Sequence, residues 1–299
     1  MIARKAALLC YTPAAKGSVT KVGGKACLPG TVRRACCLSF GRLRRVSIPI
    51  WGVLAFACAI AGSGLQGCSE SSNDANSIVG SPSGAREVHF KTADGWGIFA
   101  DAYVPASSSK GAVILLHQRN GAASDWKSLG ASLQSAGYTA LAIDQRGAGR
   151  SVQGPGGVGG KGDNAPWETG PDIAAAIQFL AGKGPVALVG ASYGANNAIL
   201  YAAAHPDQVK SLVLFSPGAD YHGLNAVTAA KTWSGPLEIF HDKGDTIAGD
   251  GPKTIDKTTP SADHKLVITS GSRHGTDLLR AALSNAAASP VTFLQRTLK

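Results

Sequence analysis

Val186-Ala187-Leu188-Val189-Gly190-Ala191-Ser192-Tyr193-Gly194, running into the alanine-rich segment from Ala195 to His205, is the stretch that decides how this chain is read. An apolar run of strand composition meets a helical segment at a serine with a glycine two residues to either side. A strand that turns at once into a helix leaves little space beside the apex residue, so the flanking positions favour residues without side chains. The serine is then held with its Oγ exposed and a helix N-terminus beneath it. In a chain with 38 glycines the bare pattern G-x-S-x-G arises easily. The strand before it and the helix after it mark it as a turn that presents a nucleophile. The competing interpretation is an ordinary strand–helix turn with a capping serine.

In sites built on such a turn the acid follows a later strand and the histidine comes last. Pro236 to Phe240 has strand character and is followed by His241-Asp242-Lys243-Gly244-Asp245. Lys265 to Thr269 is the next strand candidate, followed by Ser270-Gly271-Ser272-Arg273-His274-Gly275. Asp245 and His274 therefore both fall in loops past strand ends, where a parallel sheet gathers its functional residues. Asp242, nearer the strand, is the rival acid. Six other histidines are present, so His274 draws its weight from order and context.

Ahead of the serine, Gly111 to Leu116 is a buried-strand candidate that leads into His117-Gln118-Arg119-Asn120-Gly121. That loop is where the second backbone donor of an oxyanion hole belongs. A further strand, Thr139 to Ile143, ends in Asp144-Gln145-Arg146-Gly147-Ala148-Gly149-Arg150-Ser151. Over residues 86 to 299 the chain resembles the α/β-hydrolase superfamily, and within it the small dienelactone-hydrolase-like and esterase-like branch. The resemblance rests on 117–119, 144–151, 190–194, Asp245 and His274. It implies Ser192 as nucleophile, His274 as base and Asp245 as the residue that orients it. It also implies an oxyanion hole made by the backbone N–H groups of Tyr193 and Arg119. Two positions depart from the pattern: many relatives have glycine where Gln118 stands, and dienelactone hydrolases proper have cysteine where Ser192 stands.

The chain carries a formal charge of +10, which by itself would suggest nucleic acid or an anionic membrane. Its distribution argues against nucleic acid. Residues 1–67 hold ten Lys and Arg and no acid, and the remainder holds nineteen of each sign. All six cysteines (Cys10, Cys27, Cys36, Cys37, Cys58 and Cys68) fall in the first 68 residues, with no zinc-ligand spacing among them. Arg42 to Arg45, the apolar run Val46 to Leu65 and then Leu65-Gln66-Gly67-Cys68 read as a secretory signal. Its end resembles a bacterial lipobox, which implies cleavage and lipidation at Cys68. A membrane-spanning anchor is the alternative. Residues 1–40 are expected to be an over-extended gene start. Residues 68–84, rich in Ser, Asn and Gly, are expected to be a flexible tether.

Residues 85–299 are long enough for one domain with a substantial core. Two early strands precede alternating strands and helical segments (124–135, 170–181, 193–205 and 276–298). This order implies an α/β fold with a mainly parallel central sheet and helices on both faces. Only about twenty residues, 216–235, separate the strand candidate Val209 to Phe215 from the one that starts at Pro236, which leaves room for one short helix and little or no cap. Gly154-Pro155-Gly156-Gly157-Val158-Gly159 spells G-x-G-x-x-G but neither follows a strand nor opens a helix, so a dinucleotide site is rejected. No cofactor or metal is expected. The expected partner is a small-molecule ester or acyl substrate, with the membrane met through the lipid anchor. A thioesterase, a peptidase, a dienelactone-type hydrolase and a non-catalytic binding module of the same fold remain alternatives. Trp167 is a candidate lining of the acyl pocket or an anchor for its own loop. Arg119 is a candidate carboxylate binder or a solvated or salt-bridged residue. His117 and Arg146 are expected to be structural, and His222 lies out of order for the base.

Overall fold

A computed structural model describes residues 84–157, 166–285 and 288–299. The leader, Cys68 and the tether up to residue 83 lie outside the described residues, as does part of the glycine-rich stretch at 158–165. Eight strands form one sheet: β1 (Arg86–Lys91), β2 (Gly97–Tyr103), β3 (Ala112–Leu116), β4 (Thr139–Ile143), β5 (Val186–Ala191), β6 (Ser211–Phe215), β7 (Leu237–Asp242) and β8 (His264–Thr269). Their order is β1-β2-β4-β3-β5-β6-β7-β8. The β1–β2 and β2–β4 pairs are antiparallel, and every other pair is parallel.

Helices α1 (Lys127–Ser135), α2 (Gly170–Phe179), α3 (Tyr193–Ala204), α4 (Ala226–Ala230), α5 (Gly251–Thr258), α6 (Leu279–Ser284) and α7 (Pro290–Thr297) connect the strands. Every residue of β3, β4, β5 and β6 is buried, because helices cover both faces of these strands. The pleat divides them between two cores. Ile114, Leu116 and Leu188 join Ile173 of α2 and Ile199 of α3 on one face. Val113, Leu115 and Val189 join Leu129 and Leu133 of α1 and Phe293 and Leu294 of α7 on the other. Burying each such side chain stabilises the fold by about 1.5–3 kcal/mol before conformational entropy is counted.

After β3 the chain crosses to β4 on one side, and after β5 it moves to β6 on the other. The crevice at the C-terminal ends of β3 and β5 is therefore a topological switch point, the place where open α/β sheets hold their ligands. Ser192 follows β5 there, and His117 to Asn120 follow β3.

Three elements differ from expectation. The segment 276–298 is not one helix: a single 3-10 turn over Gly275–Leu278 leads into α6, and α7 begins anew at Pro290. Proline lacks an N–H and disfavours helical backbone in the residue before it, so Ser289 is extended and Pro290 opens a fresh helix. Helix α5 was not anticipated, since its buried residues Gly251, Pro252 and Ile255 are too few and too close to a Gly-Pro start to show a period. The sixth strand begins at Ser211 rather than Val209. Between β6 and β7 stands a single five-residue helix, α4.

Candidate active site

The turn after β5 owes its shape to backbone contact. Ser192 has φ 49° and ψ −116°, a sparsely populated conformation for a non-glycine residue that costs about 1–3 kcal/mol unless its surroundings enforce it. The enforcement is visible. The Ser192 N–H donates to Phe215 O at 2.8 Å, while Ser192 O accepts from Ala195 N and Asn196 N at 2.9 and 3.0 Å. A Cβ on Gly190 would lie 2.6 Å from Ala195 Cα, and one on Gly194 would lie 2.6 Å from His117 O. Both glycines are thus required by the close approach of α3 to β5 and to the end of β3. The Ser192 side chain makes no capping bond to the helix, so the capping-serine alternative is not what the turn does.

The Ser192 Oγ instead lies 2.7 Å from His274 Nε2. On the other side of the ring, His274 Nδ1 lies 2.9 Å from both carboxylate oxygens of Asp245. The Asp245 side chain is 1% exposed and that of His274 16%, so the acid is sealed beneath an imidazole that reaches the surface. Burial alone would raise the Asp245 carboxyl. Hydrogen bonds from Ser216, His274 and the Ala248 N–H outweigh it and hold the group below the usual carboxylate range. Ile247 N and Ala248 N both donate to Asp245 Oδ1 at 3.1 Å.

Asp242, the rival acid, is the last residue of β7 and faces elsewhere. It accepts from Arg273 N at 2.9 Å and from Arg273 Nε at 2.7 Å, and it accepts the Thr269 hydroxyl. Burial opposes its ionisation, but the Arg273 and Thr269 bonds prevail and hold its carboxyl low. Its work is to pin the loop that carries His274.

Two residues that went unassigned in the sequence brace this arrangement. Ser216, at φ 49° just past β6, bonds the Asp245 carboxylate and accepts the Gly275 N–H at 3.0 Å. Gln118, standing where many relatives have glycine, accepts the Thr276 N–H through Oε1 at 2.8 Å. It thereby ties the β3 loop to the histidine loop. Gly275 has φ 59°, and a Cβ there would overlap Gln118 Oε1. The signal for Ser216 was its position immediately beyond a central strand end, and for Gln118 its place in the loop after β3 together with its departure from the family's glycine.

The remaining candidates fall into place around this centre. His117 is 1% exposed. Its Nδ1 lies 2.7 Å from Gln118 O and its Nε2 accepts from Gln145 N at 3.0 Å. Burial holds the ring below its ordinary value, so it serves as a neutral strut. Arg146 pairs with Asp172 at 2.7 Å and Asp94 at 2.8 Å. Arg119, expected to be solvated, salt-bridged or a carboxylate binder, has its guanidinium 4.2 Å from the Trp167 ring centroid. His222 stacks on Trp167 with centroids 4.1 Å apart and planes 6° apart. Among the described residues, no group of His, Cys, Asp or Glu is arranged to hold a metal ion. None of their helices is long and apolar enough to cross a membrane.

Residues 111–276 match the family model described as alpha/beta hydrolase fold. Lipase LipV of Mycobacterium tuberculosis is 32% identical over 120 residues, which is 37% of this chain and 45% of the lipase. The chain thus spans under half the length of that curated relative. Among solved structures, esterase Pf2001 of Pyrococcus furiosus superposes with a TM-score of 0.57 at 17% identity, over 72% of this chain and 91% of its own. Est1E of Butyrivibrio proteoclasticus, with ferulic acid bound, gives 0.56 at 16% identity over 71% and 99%. A proline iminopeptidase of Mycobacterium smegmatis gives 0.58 at 13% over 71% and 99%. At such identities these likenesses speak for the fold. From the family match across residues 111–276, the eight-stranded sheet and its strand order, the chain belongs to the α/β-hydrolase fold family.

Proposed function

We propose that the protein is a serine hydrolase that cleaves an ester or related acyl bond of a small molecule through Ser192, His274 and Asp245. One observation carries the proposal: Ser192 Oγ, both nitrogens of His274 and the Asp245 carboxylate form a continuous chain of contacts at 2.7 and 2.9 Å. A serine hydroxyl is a poor nucleophile near neutral pH. His274 Nε2 takes its proton as Oγ attacks the substrate carbonyl, while Asp245 keeps the other proton on Nδ1 and stabilises the imidazolium. The tetrahedral oxyanion is held by the backbone N–H groups of Tyr193 and Arg119, each such donor being worth about 3 kcal/mol. His274 then protonates the departing alcohol. Water, deprotonated by the same nitrogen, releases the acid from Ser192.

The lipase and esterases among the similar proteins favour an oxygen ester as the substrate. The iminopeptidase on the same fold makes the leaving group the variable to be tested. The test is covalent labelling by a fluorophosphonate, with turnover of short p-nitrophenyl esters, a thioester and an aminoacyl amide measured beside it. Ser192→Ala should abolish labelling and turnover with an unchanged thermal melt. Equal labelling of both proteins removes Ser192 from the site.

We also propose that the hydrolase domain is exported and lipid-anchored to a bacterial membrane through Cys68, with the outer membrane favoured because Ser69 rather than aspartate follows the cysteine. The support is in the sequence: basic residues, an apolar run and Leu65-Gln66-Gly67-Cys68, then a neutral domain. Two acyl chains and an acylated amine hold a protein far more firmly than one chain does. Mass spectrometry of the purified N-terminus tests it, and an unmodified start other than Cys68 would exclude it.

A further inference from the structure

The two residues whose backbone N–H groups are assigned to the oxyanion have side chains that meet. The Arg119 guanidinium carbon lies 5.8 Å from the Tyr193 ring centroid. Both also meet Trp167: Arg119 lies over its ring at 4.2 Å, and Tyr193 packs edge-on with centroids 6.2 Å apart. Trp167 is itself fixed from two directions. Its carbonyl accepts from Asn197 Nδ2 at 3.2 Å, and the same nitrogen bonds Tyr193 O at 3.2 Å. Its ring is stacked by His222 and met edge-on by Tyr221. The loops after β3 and after β6 and the start of α3 thus converge on one indole in the loop before α2.

We propose that Trp167 is a positioning residue for the oxyanion hole, holding the Arg119 and Tyr193 N–H groups in register through their own side chains. This rests on the serine-hydrolase reading above. Tyr193 opens α3 and is 3% exposed, so its N–H is fixed by the helix. Arg119 lies in the loop after β3 instead, just before Asn120, which has φ 61°. A cation held against an aromatic face in partly buried surroundings is a directed and substantial contact. It ties the β3 loop to Trp167 and, through Asn197, to the nucleophile helix. The contact acts on catalysis because oxyanion donors work only when preorganised at hydrogen-bond distance, and a displacement near 1 Å can cost about 100-fold in rate.

The experiment compares wild type, Trp167→Ala, Trp167→Phe and Arg119→Ala for kcat and KM on a p-nitrophenyl ester. It also measures inhibition by a trifluoromethyl ketone, whose adduct carries the oxyanion. Trp167→Ala should lower kcat by about 10- to 100-fold with KM within about threefold. It should weaken the ketone by the same factor as kcat, since both report on the oxyanion. Trp167→Phe, keeping an aromatic face for Arg119, should recover most of the loss. Arg119→Ala should reproduce the defect, and the double variant should add little to either single one. A rise in KM with kcat retained would make Trp167 a substrate wall and overturn the proposal. So would equal losses for the alanine and phenylalanine variants with a lowered melting temperature. Absence of Ser192-dependent hydrolysis in the wild type would instead refute the hydrolase reading, and the positioning role with it.

Discussion

Asp245→Asn is the substitution whose consequence follows most directly from the hydrogen bonds. Asp245 Oδ1 accepts two backbone N–H groups, from Ile247 and Ala248, each at 3.1 Å. An asparagine must place its oxygen there, because an NH2 group would face two donors. The amide nitrogen then occupies the other carboxylate position, and His274 Nδ1, 2.9 Å from both positions, meets the amide oxygen and an amide N–H together. The oxygen is already engaged by two backbone donors, so the ring is favoured to release its Nδ1 proton, accept from the amide N–H and carry its proton on Nε2. That places an N–H 2.7 Å from the Ser192 hydroxyl, where a lone pair is needed. The negative charge that stabilises the imidazolium is lost as well. Together these changes should lower kcat by about 10⁴-fold, or about 5.5 kcal/mol of barrier, with KM little altered. Steady-state hydrolysis of a p-nitrophenyl ester, with Asp242→Asn run in parallel, measures it. Asp245→Asn activity above about a tenth of wild type, or an equal loss in Asp242→Asn, would refute the reasoning.

Asp242→Asn itself should act on stability, lowering the melting temperature through the weakened Arg273 and Thr269 bonds. Its kcat should fall far less than that of Asp245→Asn. Gly275→Ala forces a side chain into a φ of 59° and against Gln118 Oε1, costing about 2–3 kcal/mol for backbone strain and the displaced Gln118–Thr276 bond. A calorimetric melt should fall by about 4–12 °C, and an unchanged melt would show that Gln118 does not brace this loop. Burial raises the Glu238 carboxyl to about 7 against the opposing pull of Lys265 and Arg296, and its Oε2 has no hydrogen-bond partner. The folded state therefore keeps a proton that the unfolded chain releases near 4.5. Stability declines as pH rises between those values and levels off above them. Glu238→Gln should melt higher than wild type at pH 8, by on the order of 2 kcal/mol, and show no advantage at pH 4.5; parallel pH profiles would refute it. Cys68→Ser should leave the protein unprocessed or soluble, with esterase activity intact, as fractionation and N-terminal mass spectrometry would show.

Much of this molecule follows from local pattern. The continuous apolar runs of β3, β4 and β5 mark strands covered on both faces, and their alternation with helices implies a parallel sheet. The two glycines around Ser192 record a backbone crossing so close that a side chain at either position would collide. Proline 290, by contrast, marked a helix start that a longer apolar pattern concealed. Asp245 and His274 were legible as candidates because chain order in a parallel sheet delivers successive strand ends to one edge.

Other features belong to the tertiary structure alone. Asp242 and Asp245 share one short loop and one side-chain chemistry. The first closes β7 and turns to Arg273, while the second lies three residues on, beneath His274. No composition distinguishes them, because the difference is the direction of a side chain. Gln118 reaches Thr276 across 158 residues of sequence, Ser216 reaches Gly275 across 59, and Trp167 meets Arg119 and His222 from a third loop. The sequence by itself determined the strands, most of the helices and which turn bears the serine, since those depend on neighbours along the chain. The partner of each loop residue was decided only when the sheet brought its strand ends together, because hydrogen bonds and ring contacts act over a few ångströms of space, not along the chain.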